Sequence, residues 1–284
     1  MDIQQIKVNL QYFLPKHLIT KMVGRLASAK MGRFTTYAIN KFAEHYQIDP
    51  AEIDGNIRNF QTFNEFFARP LKPSAIVIDS AADSLVFPAN GKISQFGDLK
   101  ENFQLQAKGH YFTTEALLGS NEDAEFFNNG KFITIYLSPK DYHRVHMPFE
   151  GKLLKMTYIP GELFSVNPLY TQNIPELFSR NERVVCIFET VLGKMAIVFV
   201  GAAIVRSIST KWAGVVAPNG SREVYVETYE NRDISFRKGE EIGKFLMGST
   251  VICLFEKDKI EFDGFLGNER ATHVGVRMAT HNNL

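Results

Sequence analysis

The hydrophobic pattern of this chain changes period once, near residue 70, and that change restricts it to a helical segment joined to a β-rich body. Within residues 3–47, Ile6, Leu10, Phe13 and Leu14, then Leu18, Met22 and Leu26, then Tyr37, Phe42 and Tyr46 recur at the spacing of amphipathic helices. Pro15 and Gly32 break the run. Thr62-Phe63-Asn64-Glu65 has the form of a capping box for one more short helix, which Pro70 and Pro73 end. From Ile76 onward the apolar residues fall instead in short runs of Val, Ile, Phe and Tyr separated by Gly, Pro, Asn or Asp. Ser84–Phe87, Lys131–Leu137, Gly151–Ile159, Arg183–Thr190, Met195–Val205, Arg222–Tyr229 and Val251–Phe255 read as strands, with helices near Thr114–Leu118 and Ile174–Phe178. The expected fold is α+β: an amphipathic helical N-terminal segment, residues 1–70, docked on a mainly antiparallel β sandwich or barrel, residues 71–284.

Charge narrows the partners. A net charge of +1 over 284 residues leaves no overall basic footprint for nucleic acid. Residues 1–43 nonetheless hold seven Lys or Arg (Lys7, Lys16, Lys21, Arg25, Lys30, Arg33, Lys41) against one acid, Asp2. Two readings fit such helices: a cap on the core, or an element lying on an anionic membrane surface, where each basic residue gains roughly 1 kcal/mol. The longest apolar run, Met195–Val205, is far shorter than the roughly 20 residues a spanning helix needs and reads as a buried strand. Cys186 and Cys253 are too few for a disulfide framework, and no secretory signal opens the chain, so a reducing, cytoplasmic-side location is expected.

Two segments carry chemistry. Tyr142-His143-Arg144-Val145-His146-Met147-Pro148 follows a strand and a Ser-Pro turn, where a loop presents two histidines suited to general acid and base work. No carboxylate or cysteine cluster stands at ligand spacing beside them, so a metal site is not expected. The second segment is Gly248-Ser249-Thr250. A glycine there lets the backbone bend so that the serine hydroxyl attacks the preceding carbonyl. An N-to-O acyl shift followed by elimination would split the chain and leave an N-terminal pyruvoyl group. The plain alternatives are a turn before a strand and two ordinary histidines.

Further segments accompany these two: Leu10-Gln-Tyr-Phe-Leu-Pro15, Thr62-Phe-Asn-Glu-Phe-Phe-Ala-Arg-Pro-Leu71, Gly91-Lys-Ile-Ser-Gln95, Gln106-Ala-Lys-Gly-His110, Pro160-Gly-Glu-Leu-Phe-Ser-Val-Asn167 and Asn181-Glu-Arg183. Together they make the chain resemble the bacterial phosphatidylserine decarboxylases over nearly its whole length. The resemblance implies a proenzyme that cuts itself between Gly248 and Ser249, leaving a C-terminal chain of 36 residues headed by a pyruvoyl cofactor made from Ser249. The pyruvoyl carbonyl would form a Schiff base with phosphatidylserine and act as the electron sink for its conversion to phosphatidylethanolamine. His146 is then the processing base and His143 the candidate proton donor in turnover. Leu163, Phe164 and Val166 are candidates for a lipid-facing wall, although a core role fits them equally. The family also implies a homodimer held peripherally at the cytoplasmic face of the inner membrane through the basic N-terminal helices.

The chain departs from the family at two positions. Met247 replaces a leucine, which conserves volume and apolarity. Asn90 stands where the processing triad has the aspartate of a Pro-x-Asp-Gly motif. Asparagine loses the charge and can hold the histidine in the wrong tautomer; in a serine protease that change costs about 10⁴ in rate. The alternative function is therefore a maturation-deficient or lipid-binding relative. In a blander reading Asn90-Gly91 is a hairpin turn.

Overall fold

The computed structural model describes residues 3–100, 103–107, 109–202, 207–217, 221–246 and 249–281. Three α-helices, Ile3–Phe13, Lys16–Ala27 and Arg33–Tyr46, open the chain, with breaks at Pro15 and Gly32 where the sequence places them. Gly32 has a φ of 55°, a left-handed value that favours glycine. In the short helix Phe63–Phe67, Thr62 Oγ1 accepts from the Glu65 amide at 3.1 Å. The reciprocal bond of the capping box goes one residue further back, from the Gln61 amide to Glu65 Oε2 at 2.8 Å. Ile39, Ala43, Ile53 and Phe66 form this segment's own small core.

Two anchors dock the helical segment. Val8 joins the core of the β body, and Tyr12 packs edge-on against Phe164 at 5.3 Å. Lys16, almost fully buried, pairs with Glu162 at 3.0 Å and lies over the Phe164 ring. At the second anchor Arg144 Nε donates to the Ala68 carbonyl at 3.0 Å, and Arg69 donates to the Lys140 carbonyl at 2.8 Å.

The centre is a nine-stranded sheet. Its path runs Tyr225–Thr228, Gly151–Ile159, Arg183–Thr190, Gly193–Val200, Ser249–Phe255, Lys131–Leu137, Gly91–Asp98 and Ala271–Thr272, and Ser235–Phe236 adds to the second of these. All pairings are antiparallel. The middle strands are apolar throughout because both faces of the sheet are covered, the condition that replaces alternation with a continuous run. In Ser249–Phe255 every residue is buried: Val251, Cys253 and Phe255 face one core, Ile252 and Leu254 the other.

The first core packs against two smaller sheets. One orders Ser84–Val86, Arg277–His281 and Ile260–Phe262; the other orders Gly214–Ala217, Ile208–Thr210, Glu241–Phe245 and Arg144–His146. The second core packs under the helices Thr114–Leu118, Asn121–Phe126 and Leu177–Arg180 and the hairpin Phe103–Ala107/His110–Thr113. The result is α+β with layered antiparallel sheets. They do not close into a barrel, so the sandwich alternative is the one realised.

Most strand bounds match the sequence reading, and Lys131–Leu137, Gly151–Ile159 and Arg183–Thr190 do so residue for residue. The structure also adds short strands that the sequence reading did not include, such as Phe103–Ala107, Ile208–Thr210 and Arg277–His281, and differs in three further places. The helix expected at Ile174–Phe178 is replaced by two short ones, Pro168–Thr171 and Leu177–Arg180. The strand expected to reach Val205 ends at Val200, and residues 203–206 lie outside the described residues. The strand Gly91–Asp98 was missed because its Gly, Ser and Gln residues dilute the apolar signal.

Candidate active site

One end of the large sheet gathers the segments that carry chemistry. Ser249 pairs with Leu137 and Thr250 with Tyr136, while Lys92 pairs with Tyr136 from the other side. Asn90-Gly91 and Ser249 therefore sit at the same level two strands apart, about 10 Å by strand spacing. Beyond Leu137 the chain turns at Ser138, whose amide and hydroxyl both donate to Asp141 Oδ2 at 2.7 Å. It then delivers Tyr142, His143 and the strand Arg144–His146, which pairs with Glu241–Phe245. That second strand leads directly toward Ser249.

Asn90-Gly91 is not a hairpin turn. It links Ser84–Val86 of the three-stranded sheet to Gly91–Asp98 of the large one. Glycine is required because a Cβ at position 91 would lie 2.3 Å from the Tyr136 carbonyl oxygen. Asn90 Oδ1 accepts from the Val274 amide at 2.8 Å.

Hydrogen bonds to backbone carbonyls settle both histidine tautomers, since a carbonyl only accepts. His146 Nδ1 lies 2.8 Å from the Gly239 carbonyl, so the proton is on Nδ1, and Nε2 takes the hydroxyl of Tyr142 at 3.0 Å. His143 Nδ1 likewise donates to the Asp141 carbonyl at 2.7 Å. Its Nε2 is buried with no hydrogen-bond partner among the described residues, and its ring packs on Phe67 at 4.1 Å. Burial depresses the His143 pKa to about 3, with the Arg69 charge adding to the effect against the Asp141 carbonyl. Burial also lowers His146, against the pull of Gly239 and Glu241. Both imidazoles are neutral near pH 7, and both keep their lone pair on Nε2.

Ser249 opens its strand fully buried, and its Oγ has no hydrogen-bond partner among the described residues. A buried hydroxyl left unsatisfied costs about 1–3 kcal/mol, which is tolerated where chemistry needs it. Gly248, with Met247, lies outside the described residues. The structure thus brings Asn90, His143, His146 and Ser249 to one end of the molecule. His146 bonds to Tyr142 and Gly239, and Asn90 to Val274. Leu163, Phe164 and Val166 are all buried, and Phe164 and Val166 belong to the core on the helical side of the sheet.

The chain is similar to known proteins over nearly its whole length. The family model described as phosphatidylserine decarboxylase matches residues 63–280, and one described as PSD matches residues 6–47. A phosphatidylserine decarboxylase proenzyme of Shewanella baltica is 51% identical over 97% of this chain and 96% of its own length. Proteins of the same name from Psychromonas ingrahamii (48%, covering 98% of each chain) and Alteromonas mediterranea (49%, covering 97% of this chain and 86% of its own) are similar throughout. The chain belongs to the phosphatidylserine decarboxylase family. It is an enzyme of the carboxy-lyase class.

Two parts of the candidate site were not singled out from the sequence. Tyr142 stands in the histidine motif itself, but nothing in a sequence shows that its hydroxyl meets an imidazole four residues on. Gly239 contributes only a carbonyl, which has no sequence signal.

The buried histidines also set a pH response. Each has a lower pKa folded than unfolded, so between the folded values and about 6.5 the unfolded chain binds more protons and stability falls as the pH drops. For His143 alone the loss from pH 7.5 to 5.0 is ~2 kcal/mol, at about 1.4 kcal/mol per pH unit below 6.5. Urea midpoints at the two pH values measure it, and His143→Gln should flatten the difference.

Proposed function

We propose that the enzyme matures by cutting its own chain at Ser249 and then decarboxylates phosphatidylserine to phosphatidylethanolamine with a pyruvoyl group at that position. The observation that carries this reading is the Ser249 hydroxyl, buried and without a partner at the head of a central strand. The site fits a prosthetic group made in place, because a buried hydroxyl with no hydrogen-bond partner among the described residues is free to attack the carbonyl before it.

Cleavage forms an ester bond from Ser249 Oγ to the carbonyl carbon of residue 248 as the peptide C–N bond breaks. Removal of the Ser249 α-proton then expels the carboxylate of residue 248 and leaves a dehydroalanine, whose imine tautomer water hydrolyses to the pyruvoyl carbonyl, releasing the Ser249 nitrogen as ammonia. His146 Nε2 holds the lone pair this needs and shares it with the Tyr142 hydroxyl until Ser249 takes that place. Asn90 does not endanger the tautomer, because the Gly239 carbonyl holds the Nδ1 proton. What asparagine lacks is the negative charge that would stabilise the imidazolium. Asn90→Asp keeps the acceptor for Val274 and is expected to speed self-cleavage without being required for it; a time course of freshly made protein on denaturing gels measures this.

The pyruvoyl group supplies the electron-withdrawing carbonyl on which decarboxylation depends. His143 moves the proton. Being neutral and dry, its Nε2 receives a proton only when the substrate brings its ammonium group, and it returns that proton to the substrate Cα after carbon dioxide leaves. Release of carbon dioxide from carboxyl-labelled phosphatidylserine, abolished by phenylhydrazine, tests the reading. Turnover that resists this carbonyl reagent contradicts it.

The lipid side of the proposal rests on the first three helices. Lys16–Ala27 turns Leu18, Met22 and Leu26 outward and Thr20 inward, the reverse of a helix packed for water. Phe13 is 84% exposed and Phe34 78%, beside Lys21, Arg25, Lys30 and Arg33. No helix among the described residues is long and apolar enough to cross a membrane. A peripheral position on the anionic cytoplasmic face of the inner membrane accounts for this surface. The homodimer belongs to the same proposal, supported by the edge strand Tyr225–Thr228 with its exposed Tyr225 and Val226. The division into residues 1–70 and 71–284 likewise stands as a proposal, with the helical segment presenting the β body to the lipid.

A further inference from the structure

We propose that Arg144 and Lys244 form the subsite that holds the phosphodiester of the substrate, in a cavity between the helical segment and the strand that leads to Ser249. The inference rests on the decarboxylase reading and adds the group that positions the headgroup. The cavity has a volume of about 420 Å³, and its walls include Thr62, Glu65, Ala68, Arg144, Lys244 and Leu246. Its neighbours tie it to the chemistry. Ala68 follows Phe67, which packs on His143, and the Phe245 amide donates to the His143 carbonyl at 2.9 Å. Leu246 lies three residues before Ser249.

Charge in this corner does not balance. Arg144 and Lys211 share one carboxylate, Glu241, at 2.8 and 3.3 Å. Lys244 lies opposite Arg144 in the strand pairing and has no ion-pair partner among the described residues. Glu65 also lines the cavity, its Oε2 accepting from the Gln61 amide, so the three cations stand against two carboxylates. Burial lowers the Lys244 pKa, with the Arg144 and Lys211 charges adding to the effect against the pull of Glu241.

The substrate has two anionic groups. A cation gripping the carboxylate would stabilise the ground state that decarboxylation has to leave, whereas binding energy placed on the unreactive phosphodiester orients the headgroup without that cost. The cavity also reaches Ser28, just past the end of the helix whose apolar stripe is proposed to face the bilayer. A headgroup can therefore enter from the lipid side.

The test compares two monomeric substrates, dihexanoyl phosphatidylserine and O-hexanoylserine, which keeps the amine and carboxylate but has no phosphate. Lys244→Met is expected to raise KM for the phospholipid at least tenfold, as loss of a hydrogen bond to a charged group does, with a smaller change in kcat and none for O-hexanoylserine. Lys244→Arg should restore the phospholipid KM. Inorganic phosphate should compete with the phospholipid in the parent enzyme and less in Lys244→Met. Equal losses on both substrates, or no loss on either, would overturn the subsite. If Lys244→Met fails to fold, phosphate competition in the parent enzyme decides, and its absence overturns the subsite too. A parent enzyme that neither cuts itself nor releases carbon dioxide sinks the decarboxylase reading instead.

Discussion

Ser249→Ala is expected to give a single uncut chain of 284 residues with decarboxylase activity reduced to background. No other side chain can supply both the attacking oxygen and the carbon skeleton of the pyruvoyl group, so the loss should be complete. The fold should not suffer. The Ser249 hydroxyl has no hydrogen-bond partner among the described residues, so its removal breaks no bond and relieves a buried polar group. In an uncut His146→Asn background, adding Ser249→Ala is expected to raise stability by about 1 kcal/mol, read from urea midpoints. Function and stability would then pull in opposite directions at one atom. A marked loss of stability would mean that the hydroxyl has a structural partner after all.

The second large effect separates the two histidines. His143→Asn keeps a donor for the Asp141 carbonyl and removes the basic nitrogen at the Nε2 position. It is expected to cleave itself normally, yet lose between about 10² and 10⁴ in turnover, the usual range for a lost proton-transfer group. His146→Asn keeps a donor for Gly239 and is expected to remain uncut. A denaturing gel and a carbon dioxide assay on the same two samples distinguish them. If His143→Asn fails to cut, or turns over at the parental rate once cut, the division of labour is wrong.

Cleavage should not release the C-terminal piece. Ser249–Phe255 is paired on both edges by Lys131–Leu137 and Gly193–Val200. Burial of Val251, Ile252, Cys253, Leu254 and Phe255 contributes on the order of 10 kcal/mol. Ala271–Thr272 and Arg277–His281 pair with strands of the other piece, Gly91–Asp98 and Ser84–Val86, and Ile260–Phe262 pairs with Arg277–His281. The cut thus opens a covalent bond inside a sheet that stays whole.

Sequence periodicity carried most of this architecture because the central strands are covered on both faces and so read as unbroken apolar runs. It failed at Gly91–Asp98, where a position chosen for close approach to Tyr136 left no apolar signature. It failed also near residue 175, where a helical run is interrupted by Glu176 in a left-handed conformation. His143, His146 and Ser249 were legible as reactive residue types in a family pattern. Their protonation was not legible, since the groups that set it are the carbonyls of Asp141 and Gly239, which any residue could provide. Asn90 shows the same limit. Read alone it threatens the tautomer of His146, whereas in the fold its side chain holds Val274 and a carbonyl from a distant turn holds the imidazole.

The central claim is that this chain, with Asn90, converts Ser249 into its cofactor. Intact-mass analysis of the purified protein tests it most directly. The expected result is two chains, residues 1–248 and residues 249–284, the second blocked to N-terminal sequencing and both travelling together until denatured. A single full-length chain with Ser249 unaltered would contradict the account.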